Sequence, residues 1–254
     1  MLEIRNVSKL YSGIPAVNNV SFVASPGVVT GYLGPNGSGK STTLKMMTGL
    51  IEPSDGQILF CGEPIDRIRI SYRQRFGYVP EEPDLYTHMT GAEYLEMVGG
   101  LRRLPEKQLQ QKINGLLELF SLTDSRYSPI SSYSKGMRQK VLISAALLHN
   151  PDVVLLDEPF SGLDVNSALV LRNLISELAA RGKVVLLSSH ELETVERVCS
   201  RVIILHKGSV VANDSIGQLR SLMAAPSLEA IFSQLAVEQD TSTITREIID
   251  LIEL

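Results

Sequence analysis

At 254 residues the chain can hold one large α/β domain or two small ones. It is 44% hydrophobic and 20% charged, as folded globular proteins are, and its formal net charge of −4 makes no electrostatic case for nucleic acid or an anionic membrane. The two cysteines, Cys61 and Cys199, form no C-x-x-C, so neither a disulfide framework nor a zinc site follows and a reducing compartment fits.

Residues 1–33 read as short strands. Leu2 and Ile4 alternate, Ser12 to Pro15 breaks the pattern, and Val20 to Val23 resumes it before Pro26-Gly27. Met1 to Asn6 lacks the apolar run of a signal peptide, and no stretch approaches the roughly 18 apolar residues of a spanning helix. The longest, Val141 to Leu148, has the length of a buried core helix. The expectation is a cytosolic chain that meets a membrane only through a partner.

Gly34-Pro35-Asn36-Gly37-Ser38-Gly39-Lys40-Ser41-Thr42 fills the G-x-x-x-x-G-K-[S/T] template. It follows the apolar run Val28 to Leu33 and leads into the helix-like Thr43 to Met47, the strand–loop–helix setting this motif needs. The glycines let the backbone turn tightly with its N–H groups inward, and the next helix adds the positive end of its dipole. Lys40 can then reach the β- and γ-phosphates, and the Ser41 hydroxyl can ligate Mg²⁺. A chance glycine-rich turn would not need every position filled. This is a candidate triphosphate site.

Gly49 is a plausible stop for that helix, and Pro53 to Gly56 turns into a strand at Gln57 to Cys61. So β-rich a start predicts a small antiparallel sheet beside the nucleotide core. Arg67, Arg69, Arg73 and Arg75 form a local basic cluster, read as a solvated face. From Thr90 the texture is helical: Thr90-Gly91-Ala92-Glu93 is a capping box, and Pro105 opens a helix striped by Leu109, Ile113, Leu116, Leu117 and Phe120. Residues from about 85 to 150 thus read as a helical insertion between two core strands. Ser134 caps a long helix running to Leu148, a second N-terminus suited to an anion.

Val153 to Leu156, ending in Asp157, is a short apolar run of the kind buried parallel strands show, as are Val184 to Leu187 and Val202 to Leu205. Asp164 can cap the helix through Leu178 that stops at Gly182. Strands alternating with helices predict a mainly parallel sheet covered on both faces. Beyond Asp214 the chain reads as helical, with Ile244, Ile248, Leu251 and Ile252 at helical spacing.

Hydrolysis of a bound triphosphate needs a metal and an activated water as well as a cradle. Asp157 is placed to hold Mg²⁺ through water, and Glu158 beside it to polarise the attacking water. Two adjacent acids after such a strand are costly without a cation. His190 falls just past a strand, at the carboxyl edge where open α/β sheets bind ligands, and could donate to the γ-phosphate or the water.

In order, these motifs resemble the ATP-binding cassette (ABC) ATPases over about the first 215 residues. Gly34 to Thr42 matches the Walker A motif and Tyr133-Ser134-Lys135-Gly136-Met137 resembles the signature motif. Val153 to Glu158 matches Walker B with the catalytic glutamate, Ser161 to Asp164 the D-loop, and His190 the switch histidine. Tyr11 looks like the aromatic residue that stacks on adenine. Two positions depart from the pattern. The signature is ordinarily Leu-Ser-Gly-Gly-Gln, and Lys135 and Met137 replace its first Gly and its Gln; the Q-loop glutamine becomes Glu81. A carboxylate can still offer oxygen to Mg²⁺ or water but cannot donate as an amide does. These departures and Ser227-Leu228-Glu229-Ala230-Ile231-Phe232 resemble bacterial export-type subunits that pair with a separate permease.

The resemblance implies a P-loop NTPase core with a small antiparallel β subdomain and an inserted helical subdomain. The cassette would occupy residues 1–219, with a short helical extension at 220–254. It also implies ATP and Mg²⁺ as ligands and a position on the cytoplasmic face of the membrane through the permease. A second ATPase subunit would pair head to tail, with Ser134 and Gly136 gripping the γ-phosphate of the opposite ATP. A soluble ABC ATPase that remodels a target is the second reading, disfavoured by the lack of a second cassette or long coiled coil. A P-loop kinase or non-hydrolysing regulator is argued against by Glu158 and His190 together.

Overall fold

The computed structural model describes residues 1–82 and 84–236, with Ile249 and Ile252. The chain begins with β1 (Leu2–Tyr11), β2 (Ile14–Ala24) and β3 (Val29–Leu33), then α1 (Lys40–Met47), β4 (Asp55–Phe60), β5 (Glu63–Pro64), α2 (Arg69–Gln74) and β6 (Phe76–Val79). Three helices follow, α3 (Gly91–Leu101), α4 (Glu106–Leu119) and α5 (Lys135–Leu147), before β7 (Val153–Asp157), α6 (Val165–Ala180) and β8 (Val184–Ser188). The described chain closes with α7 (Leu192–Val198), β9 (Arg201–His206), β10 (Ser209–Ser215), α8 (Ile216–Leu222) and α9 (Leu228–Ala236).

Two sheets result. One is antiparallel, in the order β2-β1-β4-β5; the other runs β10-β9-β3-β8-β7-β6, parallel throughout except for β10 at its edge. β2 continues back from Ile14, because Ser12 and Gly13 alone make the turn with positive φ. The Asn18 N–H donates to the Gly208 carbonyl at 2.8 Å, tying the sheets together beside the P-loop.

The unbroken apolar runs have a simple cause. Side chains alternate across a strand, and each central strand serves two cores. Val154 and Leu156 of β7 face the helix-covered core while Val153 and Leu155 face the core under the antiparallel sheet. Val185 and Leu187 of β8 divide from Val184 and Leu186 in the same way. Fully burying each such side chain stabilises the fold by about 1.5–3 kcal/mol.

Local chemistry sets the helix ends. Glu93 N–H donates to Thr90 Oγ1 at 3.2 Å while Thr90 N–H donates to Glu93 Oε2 at 2.8 Å, closing the capping box of α3. Asp164 accepts from the Ser167 hydroxyl at 2.6 Å and from the Ser167 N–H at 2.9 Å at the start of α6, and these contacts hold its carboxyl down at about 2. The arginine cluster is exposed, as a solvated face requires, and three of its members also make surface contacts. Arg73 donates to the Gly49 carbonyl at 3.1 Å, Arg69 pairs with Glu52, and Arg75 pairs with Asp152 while its guanidinium lies 4.8 Å from the centre of the Phe60 ring. Such exposed pairs contribute little stability, although a guanidinium can stack and donate at once, as Arg75 does.

Among the described residues no helix is long and apolar enough to cross a membrane. Residue 219 lies inside α8, where Ser215 is the cap and Leu219 is buried. Of the helical pattern near the C-terminus, Ile244, Ile248 and Leu251 lie outside the described residues, and Ile252 is exposed.

Candidate functional site

The carboxyl ends of β3, β6, β7 and β8 meet at one edge because their parallel register aligns them, Tyr32 and Asp157 both pairing with Ser188. The segments that leave these ends surround a cavity of about 870 Å³. It brings together Tyr11, Gly34, Pro35, Asn36, Gly37, Gly39, Lys40, Ser41, Thr42, Glu81, Asp157, Glu158 and His190, which lie up to 179 positions apart (190 − 11).

Gly39 makes the P-loop possible. It stands at the N-cap of α1 with φ of 99°, and a Cβ there would lie 2.5 Å from the Ala16 carbonyl oxygen. Lys40 Nζ donates to the carbonyls of Gly34 at 2.6 Å and Pro35 at 3.1 Å, spanning the mouth of its own loop. Burial lowers its pKa, offset by the charges of Glu158, Asp157 and Glu81. Ser38 is placed differently from the rest of its motif. It is 1% exposed, lies outside the cavity lining, and its N–H donates to the Pro35 carbonyl at 3.1 Å. It braces the loop from below.

Asp157 is the last residue of β7 and is buried, accepting the hydroxyl proton of Ser188. Burial raises its pKa, the Ser188 bond opposes that, and Glu81 adds to it. Glu158 turns out of the strand with φ of 48°, a left-handed conformation uncommon for a residue with a side chain. Its N–H donates to the Ser188 carbonyl at 3.1 Å, which helps hold the turn. Glu158 Oε2 lies 2.8 Å from His190 Nδ1, and burial raises the Glu158 pKa against the pull of that contact. His190 therefore faces the carboxylate in this structure.

The second anion-binding terminus stands apart. Ser134 Oγ accepts from Met137 N–H at 3.2 Å and caps α5, yet neither Ser134 nor Gly136 lines the cavity. The start of α5 is instead sewn to the turn after β7. A Cβ on Gly136 would run into the Gly162 carbonyl, Lys135 Nζ donates to Ser161 Oγ at 2.6 Å, and Gln139 Nε2 donates to the Pro159 carbonyl at 3.2 Å. Lys135, the departure from the signature pattern, thus packs over Gly162.

Sequence reasoning missed Ala16, Ser189, Leu192 and Phe232, which also line the cavity, and Ser188, which holds Asp157. The polar Ser188-Ser189 pair closing a buried strand was a readable signal. Phe232 had none, since its place depends on packing from a distant helix.

Mainly parallel sheet, P-loop at the end of a central strand and paired acids facing it define a nucleotide-binding P-loop ATPase. The family model described as ABC transporter matches residues 17–161. An uncharacterized ABC transporter ATP-binding protein of Nostoc sp. is 39% identical over 208 residues, covering 81% of this chain and 62% of that protein. The Nod factor export ATP-binding protein I of Cupriavidus metallidurans is 33% identical, covering 96% of this chain and 80% of that protein. A solved ATP-binding subunit of an ABC transporter superposes with a TM-score of 0.87 at 35% identity, covering 92% of this chain and 99% of that one. A dimeric bacterial ABC transporter cassette superposes with a TM-score of 0.78 at 25% identity, covering 85% and 98%. The chain belongs to the ABC transporter family as an ATP-binding subunit, an ATPase.

Proposed function

We propose that this chain binds ATP with Mg²⁺, hydrolyses it between two cassettes arranged head to tail, and thereby drives export through a separate membrane permease. The observation that carries the hydrolytic reading is the Glu158–His190 contact of 2.8 Å at the mouth of the P-loop cavity. Lys40 would move from the Gly34 and Pro35 carbonyls to the β- and γ-phosphates, and N–H groups of the loop would donate to the phosphate oxygens. Ser41, Asp157 and Glu81 are hard oxygen donors, and the raised pKa of Asp157 reflects buried negative charge that a divalent cation would relieve, so the residues fit Mg²⁺. When bound, Mg²⁺ neutralises charge on the phosphoryl oxygens. Glu158 orients the attacking water and takes its proton on a carboxylate oxygen, while His190 holds that carboxylate in place.

Ser134 and Gly136 serve the ATP of the opposite subunit, since they do not line the cavity of their own chain. The dimeric cassette of like fold supports this pairing. Export is supported by the Nod factor relative, and the helical insertion of residues about 85–150 would carry motion to the permease. The cassette with its C-terminal extension would then sit on the cytoplasmic face of the membrane. Affinity isolation of the tagged chain from detergent-solubilised membranes tests this: a membrane-spanning protein should co-purify in fixed ratio. A chain recovered only from the soluble fraction, with no such protein, would exclude the permease-coupled reading.

Tyr11, at the end of β1 and 49% exposed, supports adenine by stacking. A base–aromatic stack contributes about 1–3 kcal/mol and tolerates any base. Tyr11→Ala should raise the Kd for ATP and GTP alike by about 5- to 150-fold, and Tyr11→Phe should be nearly silent. An unchanged ATP affinity in Tyr11→Ala, measured by nucleotide titration, would remove the residue from the site.

A further inference from the structure

One wall of the nucleotide cavity is not part of the P-loop machinery. Phe232, on α9, lines it together with His190 and Leu192. Leu192 is the first residue of α7, so the His190 segment continues directly into that helix. α7 has only 7 residues, and Glu191 at its N-cap position gives it no side-chain cap. A helix this short has little stability of its own, so whatever packs against it decides where it sits.

On one side that is the core, through buried Val195 and Val198. On another it is α9, which packs against both α7 and β9. Leu228 and Ile231 of α9 are fully buried. The Leu228 N–H donates to Glu196 Oε2 at 3.2 Å, and Glu196 Oε1 also pairs with Arg220 of α8 at 3.3 Å. One carboxylate of α7 thus anchors the start of α9, and Phe232 carries that packing to the edge of the cavity. The His190 side chain is 75% exposed and has little packing of its own to fix it against Glu158.

We infer that Phe232 is a positioning residue for hydrolysis: with Leu192 it backs the His190 segment and keeps the imidazole on Glu158, so that α9 sets the turnover rate. This deepens the hydrolytic reading above and rests on it. A displacement of about 1 Å in a catalytic group can cost about 100-fold in rate, whereas α9 contributes no residue to the P-loop itself.

Steady-state ATP hydrolysis of the full chain tests it, with Phe232→Ala and Phe232→Leu each made in wild type and in a His190→Ala background. Phe232→Ala should lower kcat by about 10- to 100-fold with KM for ATP little changed, and Phe232→Leu should restore most of the rate. In the His190→Ala background Phe232→Ala should cost nothing further, because the two act as one unit. A raised KM with kcat intact would make Phe232 a wall for the nucleotide and overturn the inference. So would an equal fold-loss in both backgrounds, the mark of a structural role. Phe232→Val, which leaves a smaller cavity, carries the same comparison if Phe232→Ala does not fold. His190→Ala turning over at the wild-type rate would sink the underlying role of His190, and it is read before any Phe232 variant is made.

Discussion

Glu158→Gln is expected to lower steady-state ATP turnover by about 10²–10⁴-fold while ATP binding survives, the contribution a positioned general base typically makes. The substitution keeps the size of the side chain and removes only its basic oxygen. The backbone it sits on should persist, since the left-handed turn at Glu158 is braced by its N–H bond to the Ser188 carbonyl, a contact the side chain does not make. Lys40→Ala should behave in the opposite way. It deletes the cation that bridges the mouth of the loop, so triphosphate binding itself should weaken. Binding of a labelled ATP analogue, measured beside turnover, separates the two. Unchanged hydrolysis in Glu158→Gln would take Glu158 out of the base role.

The second large effect concerns the proposed site shared between two subunits. Ser134→Asp keeps a good N-cap on α5, since aspartate caps as well as serine, but places a carboxylate where the partner's γ-phosphate should arrive. It is a cleaner probe than any change at Gly136, where a Cβ would strike the Gly162 carbonyl within the same chain. Homodimers of Lys40→Ala and of Ser134→Asp should each lose roughly 10²–10³-fold in turnover, the usual cost of removing or opposing one group at a charged transition state. Mixing the two variants places both lesions in one composite site and leaves the other intact, so activity should return. Both changes in one chain, paired with wild type, spoil both sites. Mixed dimers of the first kind that stay as inactive as the second would rule out shared sites.

Much of this protein was legible in the chain because its chemistry is local. A P-loop works through consecutive backbone N–H groups and the helix that follows, so Gly34 to Thr42 carried the candidate phosphate cradle in one stretch. The Thr90–Glu93 capping box and the Asp164 cap close over three residues, and both formed as their spacing required. The apolar strands that end at Asp157 and Ser188 were readable for the same reason, since burial on both faces leaves an uninterrupted run.

What the tertiary structure alone decided is which of these pieces face one another. Glu158 and His190 are linked because β7 and β8 lie side by side in register, and Ser188 holds Asp157 for the same reason. Lys135 reached Ser161, and Arg75 reached Asp152 and Phe60, through contacts between segments far apart in the chain. Ser38 shows the reverse case, a motif residue whose own N–H and burial turned it beneath the loop. Phe232 reached the nucleotide cavity because α9 docks on α7. Periodicity tells each element which face to bury, but apolar burial is non-directional, so the partner against which that face is buried is chosen only when the whole sheet and its helices pack at once.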